Sequence, residues 1–297
     1  MIEKAVTFGC VREQLVGIIS DPDGDCEVGV IVVVGGPQYR VGSHRQFLSL
    51  ARQLAQAGIP VLRFDYRGMG DSSGASRSFE HIELDIAAAI GAVTAACPRI
   101  RKIVLWGLCD AASANLLYWQ ATTDSRVAGM VLLNPWVMSE ATYAQHKIKG
   151  YYLRRVMTAG FWVRLARGGV NLLGALHSIA GYIRRASKPH NRSEGLAHID
   201  YRDRMRMAMR HFPGPLLLVS SGADLTGKAF LEYARSHPAW HGLIERPNVE
   251  RHELPLADHT FSTAAWREEV EALTLDWLRR SFFSARGVPQ SSLSKDH

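Results

Sequence analysis

Strands alternating with helices predict an α/β protein with a mostly parallel central sheet flanked by helices, interrupted by one helical insertion. Three observations carry this. Residues 28–34 (VGVIVVV) form an unbroken apolar, β-branched run, as in a strand buried on both faces. Helix-period segments recur between such runs, and they supply the right-handed crossovers that parallel neighbours need. The alternation then stops between Trp136 and Phe212, a stretch of helical composition without a strand signal.

In order, residues 4–8 and 14–19 read as an N-terminal hairpin, and 28–34 as the first buried strand. Residues 44–56 read as a helix ending before Gly58, 61–64 as a strand, and 79–95 as an Ala-rich helix. Residues 103–106 form a strand, 110–120 a short helix and 127–133 a strand. After the Pro-Gly-Pro turn at Pro213, Gly214 and Pro215 come strands 216–220 and 249–254 and a last helix, 263–283. The domain reading is therefore a core of residues 1–135 and 213–286, a basic helical lid at 136–212 and a flexible tail at 287–297.

With 297 residues, 47% hydrophobic and 21% charged, the chain can bury a large core, which excludes disorder, collagen-like repeats and a disulfide scaffold. Cys10, Cys26, Cys97 and Cys109 form no CxxC pair and no zinc pattern. The opening MIEKAVTF carries no basic, apolar leader, so the expected compartment is the cytosol with reduced thiols. Net charge is +7, and residues 141–212 hold fourteen Lys or Arg against Glu194, Asp200 and Asp203. A one-signed segment in an otherwise near-neutral chain points to an anionic partner.

The turn IVLWGLCDAAS (103–113) carries the first chemical signal. An apolar strand ends at Gly107, a turn carries Cys109, and a small-residue helix follows, as in a nucleophile elbow. The G-x-S-x-G pattern is altered twice: the nucleophile position holds sulfur, and Ala111 replaces the second glycine. The helix N-terminus is expected to lower the thiol pKa, with Asp110 opposing it. Cys109 is then expected to be alkylated ahead of Cys10, Cys26 and Cys97.

Asp224, just past strand 216–220, is the expected orienting acid, with a helix N-cap or turn as its alternative role. His259, on the loop before the last helix, is the expected base. Asp258 reads as a loop-shaping residue. The loop after the first buried strand, Gly35-Gly36-Pro37-Gln38, is expected to donate one N–H to an oxyanion and Asp110 the other. Pro37 cannot donate, which leaves Gly36 or Gln38, and Gly36 is chosen. Gln38, Arg40 and His44 near this mouth are the candidate substrate-binding residues, a solvated helix start being the alternative. In the FDYRGMGDSSG block (64–74), Gly68 and Gly70 lack the third glycine of a dinucleotide loop, so Asp65 and Arg67 are read as bracing turns. No cofactor, metal or nucleic acid is expected.

Together the FDYRGMGDSSG block, the GLCDA elbow, the late Asp224 and the ADHTF histidine resemble the α/β-hydrolase superfamily. VVGGPQYRVGSHRQF, RFDYRGMGDSSG and WGLCDAAS are similar, more narrowly, to the exosortase A system-associated hydrolases of the first type. That resemblance implies a bacterial cytoplasmic hydrolase tied to exopolysaccharide production. The expected activity is hydrolysis of a carboxylic ester or thioester through Cys109, His259 and Asp224. An acyltransferase and a non-catalytic accessory that binds glycolipid or a membrane enzyme are the alternatives. Residues 151–183 combine an imperfect apolar helical face with Arg and aromatic residues, so the lid is expected to meet an anionic membrane surface or a lipid-linked glycan.

Overall fold

The computed structural model describes residues 1–22, 24–36, 38–138 and 199–283. The chain divides into two units, one of Met1–Val137 with Ile199–His297 and one of Met138–His198. The expected amphipathic lid segment and the tail from Gly287 lie outside the described residues.

Eight strands form one sheet: β1 (Ile2–Cys10), β2 (Glu13–Asp21), β3 (Val28–Val33), β4 (Val61–Asp65), β5 (Lys102–Leu108), β6 (Val127–Leu133), β7 (Leu216–Ser221) and β8 (Val249–Leu254). Their order is β1-β2-β4-β3-β5-β6-β7-β8. The β1–β2 and β2–β4 pairs are antiparallel and the rest parallel. The chain steps outward from β3 to β4 and then reappears at β5 on the other side of β3. This reversal opens a crevice beyond the carboxyl ends of β3 and β5, where ligands bind in open α/β sheets.

The helices of the described residues are α1 (Gln46–Gln56), α2 (Glu83–Ala96), α3 (Asp110–Thr122), α4 (Tyr201–His211), α5 (Leu225–Ser236) and α6 (Ala264–Phe282). Strand side chains alternate between two cores. Val30, Val32, Val104, Trp106, Val131 and Leu217 pack with Phe47 and Leu50 of α1 and Trp277 and Leu278 of α6. Ile31, Val33, Leu105, Leu132 and Leu218 pack on the opposite face with α2, α3 and α4. Because β3 and β5 are covered on both faces, their sequences are continuously apolar rather than alternating.

Three boundaries differ from the sequence reading. The first helix starts at Gln46, because His44 and Arg45 have positive φ of 53° and 61° and the turn before it is 3₁₀. Helix α5 was not expected; its first turn carries Thr226 and Gly227, weak helix formers. The expected insertion of 136–212 ends too late: α4 belongs to the core, with Met205, Ala208 and Met209 buried and Phe212 edge-on to Trp119 of α3 at 5.1 Å. Arg202, Arg204, Arg206 and Arg210 alternate with this apolar stripe, so the segment reads as basic although one face is core.

The FDYRGMGDSSG block braces the turn after β4. Arg67 pairs with Asp85 of α2 through Nη2–Oδ2 at 2.7 Å and Nε–Oδ1 at 2.9 Å, and both side chains are buried. Removing one partner of a buried ion pair strands the other's charge, at a cost of about 3–5 kcal/mol. Asp85→Ala is therefore expected to lower unfolding free energy by about that amount in urea titration. A loss under about 1 kcal/mol would mean that Arg67 finds solvent or another acceptor.

Candidate active site

Every expected site element sits at the carboxyl end of the sheet. Strand β5 ends at Leu108 and α3 starts at Asp110, so Cys109 alone makes the turn, at φ 63° and ψ −125°. This lies far from the basins that L-residues favour. The sharp turn brings β5 against α3: a Cβ on Gly107 would lie 2.7 Å from the Ala111 carbonyl carbon and 2.8 Å from Ala112 N. The Cys109 N–H donates to Leu133 O at 2.8 Å, tying the turn to the end of β6.

The acid and the base meet across thirty-five residues. His259 Nδ1 lies 2.9 Å from Asp224 Oδ2. The same Oδ2 accepts the Gly227 N–H at 2.9 Å, which makes Asp224 the N-cap of α5. One carboxylate therefore both caps α5 and bonds the imidazole, so the helix cap does not exclude the geometry expected of an orienting acid. Burial works against ionisation of Asp224, but the His259 hydrogen bond and charge and the Gly227 and Thr226 N–H groups outweigh it and hold the carboxyl below its ordinary range. Asp258 turns away from this pair. Its Oδ1 accepts from Thr260 N at 3.1 Å and Ser262 N at 3.0 Å, shaping the histidine loop.

Two residues missed in the sequence join these loops. Asn134, at positive φ just past β6, donates through Nδ2 to Ser221 Oγ (2.8 Å) and to His259 O (3.3 Å), and its Oδ1 accepts the Ser221 N–H (2.8 Å). Ser221 Oγ in turn donates to Asp258 O at 2.9 Å. Both side chains are buried. Their only sequence signal was a polar residue at the end of each of two apolar strands.

Among the described residues no hydrogen bond joins the Cys109 thiol to His259. The thiol pKa runs against expectation. Burial pushes it well up, the charges of Asp110 and Asp224 add to this, and the Asp110 N–H only partly opposes them. Burial also raises the thiols of Cys10, Cys26 and Cys97, so a lowered pKa does not distinguish Cys109.

The expected oxyanion donor is also otherwise engaged. The Gly36 N–H points at Asp110 Oδ2, 3.0 Å away. Gly35 makes room for this, since a Cβ there would lie 2.2 Å from Asp110 Oδ1. Of the expected substrate-binding residues, Arg40 ion-pairs with Asp65 and with Asp71, so its charge is already balanced. Gln38 Oε1 accepts from Ser43 N at 3.2 Å and Gln46 Nε2 at 3.4 Å, bracing its own loop. His44 is exposed, and its charge is felt by Asp258. Among the described residues no group of His, Cys, Asp and Glu is arranged to hold a metal, and no helix is long and apolar enough to cross a membrane.

Asn134→Ala removes both Nδ2 hydrogen bonds and leaves the buried Ser221 N–H without its acceptor. An unsatisfied buried donor costs about 1–3 kcal/mol. The expected result in urea unfolding is a loss in that range, larger than for Ser43→Ala at the half-buried mouth. Equal losses would remove Asn134 as the tie between the acid and histidine loops.

Residues 28–178 match the family model described as Serine aminopeptidase, S33 (Hydrolase_4). No curated protein matches the sequence. Among solved structures, an esterase of Pyrococcus furiosus is similar over 94% of this chain and 91% of its own, at 17% identity and TM-score 0.65. Est1E of Butyrivibrio proteoclasticus, solved with ferulic acid bound, covers 93% and 99% at 14% identity and TM-score 0.61. Proline iminopeptidase of Mycobacterium smegmatis covers 94% and 98% at 14% identity and TM-score 0.57. At such identities the likeness speaks for the fold. The family's name carries a serine, whereas the elbow here carries Cys109. With the matched model covering half of the sequence and the sheet order and elbow described above, the chain belongs to the Serine aminopeptidase S33 family of hydrolases and has the α/β-hydrolase fold.

Proposed function

We propose that the protein hydrolyses a carboxylic ester or thioester, with Cys109 as nucleophile, His259 as base and Asp224 as orienting acid. The observation that carries this reading is the Asp224–His259 hydrogen bond at 2.9 Å, beside a cysteine in the strained elbow position. Asp224 faces Nδ1, which leaves Nε2 as the proton acceptor. As the sulfur attacks the carbonyl carbon, the S–H proton passes to Nε2 and the carbonyl electron pair moves to oxygen. Collapse of this intermediate expels the alcohol or thiol, which takes the proton back, and leaves an acyl-thioester on Cys109. Water, giving a proton to His259, then attacks the thioester carbonyl carbon; the C–S bond breaks, the Cys109 sulfur takes that proton from His259, and the acid is released. Burial and the charges of Asp110 and Asp224 raise the thiol pKa, which favours attack with the proton passing to His259 in the same step. This differs from a standing thiolate–imidazolium pair.

The similarity of WGLCDAAS and its companion segments to exosortase A system-associated hydrolases supports a role beside bacterial exopolysaccharide production. The basic composition of residues 141–193 supports an anionic, lipid-linked acyl or glycan substrate, or an anionic membrane surface.

Intact-protein mass spectrometry after mixing with p-nitrophenyl esters and acyl thioesters tests the reading. An acyl mass on the peptide of Cys109 is expected, absent in Cys109→Ala. Asp224→Asn should fold and yet slow turnover by about 10⁴-fold, as loss of the orienting acid does in related triads, while Asp258→Asn should be far milder. No adduct with any acyl donor, or a larger loss in Asp258→Asn, would overturn this assignment.

A further inference from the structure

The residue after the nucleophile is the unusual feature of this site. In this architecture a developing oxyanion is held by two backbone N–H groups, one from the loop after β3 and one from the residue following the nucleophile. Here these are Gly36 and Asp110. The Gly36 N–H already has a negative oxygen as its partner, Asp110 Oδ2 at 3.0 Å. Among the described residues the other oxygen, Oδ1, is closed off from solvent and has no aligned hydrogen-bond donor. It lies against Gly35, where no side chain could fit. The carboxyl is thus seated in the loop, not turned out to water.

We propose that the ionised Asp110 carboxyl is an internal competitor for the oxyanion-binding N–H groups, so that only the form with a neutral Asp110 accepts a substrate carbonyl there. This deepens the hydrolase reading and rests on it. Two physical arguments support it. A carboxylate holding Gly36 N–H excludes a carbonyl oxygen from that donor and repels the negative charge that attack would build on it. A carboxylate buried this deeply is also costly, so the neutral form is within reach. Burial accordingly raises the Asp110 pKa, against the N–H groups of Gly36, Ala111 and Asp110 itself and the charge of His259.

Among the described residues, few titratable groups face this carboxyl. Cys109 precedes it in the elbow, Tyr66 faces it from the end of β4, and His259 faces it from the loop before α6. The loop after β3 contributes only backbone at this point. Tyr66 stays protonated, since burial and then the charges of Asp110 and Asp85 push its hydroxyl well up. The thiol of Cys109 feels the charge of Asp110, which makes its sulfur a reporter for the carboxyl.

The experiment compares wild type with Asp110→Asn, which keeps the size and removes the ionisation. Two quantities are followed from about pH 5.5 to 9.5: kcat/KM on a p-nitrophenyl ester, and the rate of Cys109 alkylation by iodoacetamide, read by peptide mass spectrometry. The expected ratio of kcat/KM, variant over wild type, rises with pH, by at most about tenfold per unit as for one ionisation. At pH about 9.5 the alkylation of Cys109 is expected to be about tenfold faster in the variant, as for a thiol relieved of one neighbouring charge. A ratio that stays flat with pH, or an alkylation rate at the top of that pH range that does not change, overturns the proposal; a merely structural Asp110 would change the size of kcat/KM without changing its pH dependence. If no ester acylates Cys109, the hydrolase reading falls, while the alkylation rate still decides whether Asp110 carries its charge against the sulfur. Should Asp110→Asn fail to fold, Asp110→Ser is measured in its place against the same two outcomes.

Discussion

Cys109 occupies a backbone conformation that a residue with a side chain rarely adopts, and the elements on either side of it hold it there. Strand β5 lies between β3 and β6 and is hydrogen-bonded along its length to both. Helix α3 is buried from Ala111 to Tyr118. The strain at a single φ of 63° costs on the order of 1–3 kcal/mol, small beside the apolar surface that this strand–helix unit buries. The cost is tolerable only because Gly107 and Ala111 let the two elements meet without a side chain between them. A sharp turn between two well-packed elements lifts the sulfur above the sheet edge. The acid loop, the histidine loop and the loop after β3 are then arranged around that point.

Those other loops are not independent. Asn134 lies just past β6, Ser221 ends β7, and the histidine loop follows β8, so three consecutive strand ends are stitched together by two buried side chains. This explains how Asp224 and His259 meet at 2.9 Å although each sits on irregular chain. It also explains why the pair lies beside the elbow: the Cys109 N–H is anchored to Leu133 O, one residue before Asn134.

Electrostatics at the elbow set this site apart from a simple expectation for a cysteine at a helix N-terminus. The helix dipole favours a thiolate, yet burial and the adjacent carboxylate outweigh it. Asp110 gains most from the helix end, because its carboxyl reaches the N–H groups there and the Gly36 N–H as well. The Cys109 thiol and the Asp110 carboxyl thus compete for the same positive end of α3. The hydrolytic chemistry proposed for Cys109 has to be understood with that competition in place.

By itself the sequence determined the layering and the order of the chemistry. Unbroken apolar strands and helical spacing between them specify a covered parallel sheet, since each element must bury a face of known period. Gly107, Cys109 and Ala111 specify the elbow because only small residues permit it, and Asp224 and His259 could be chosen because each follows a strand at the same end of the sheet. Where local signals conflicted with packing, the sequence was not enough. Four arginines hid the apolar stripe of α4, and the Thr-Gly pair in its first turn hid α5. The partners of polar groups were decided only by the tertiary structure. Arg40 is balanced by Asp65 and Asp71, Gly36 by Asp110, and Ser221 by Asn134, pairings separated by 25 to 87 residues. A hydrogen bond needs its two atoms within about 3 Å and correctly aligned, a condition set by where strand ends come together in space and by nothing periodic along the chain.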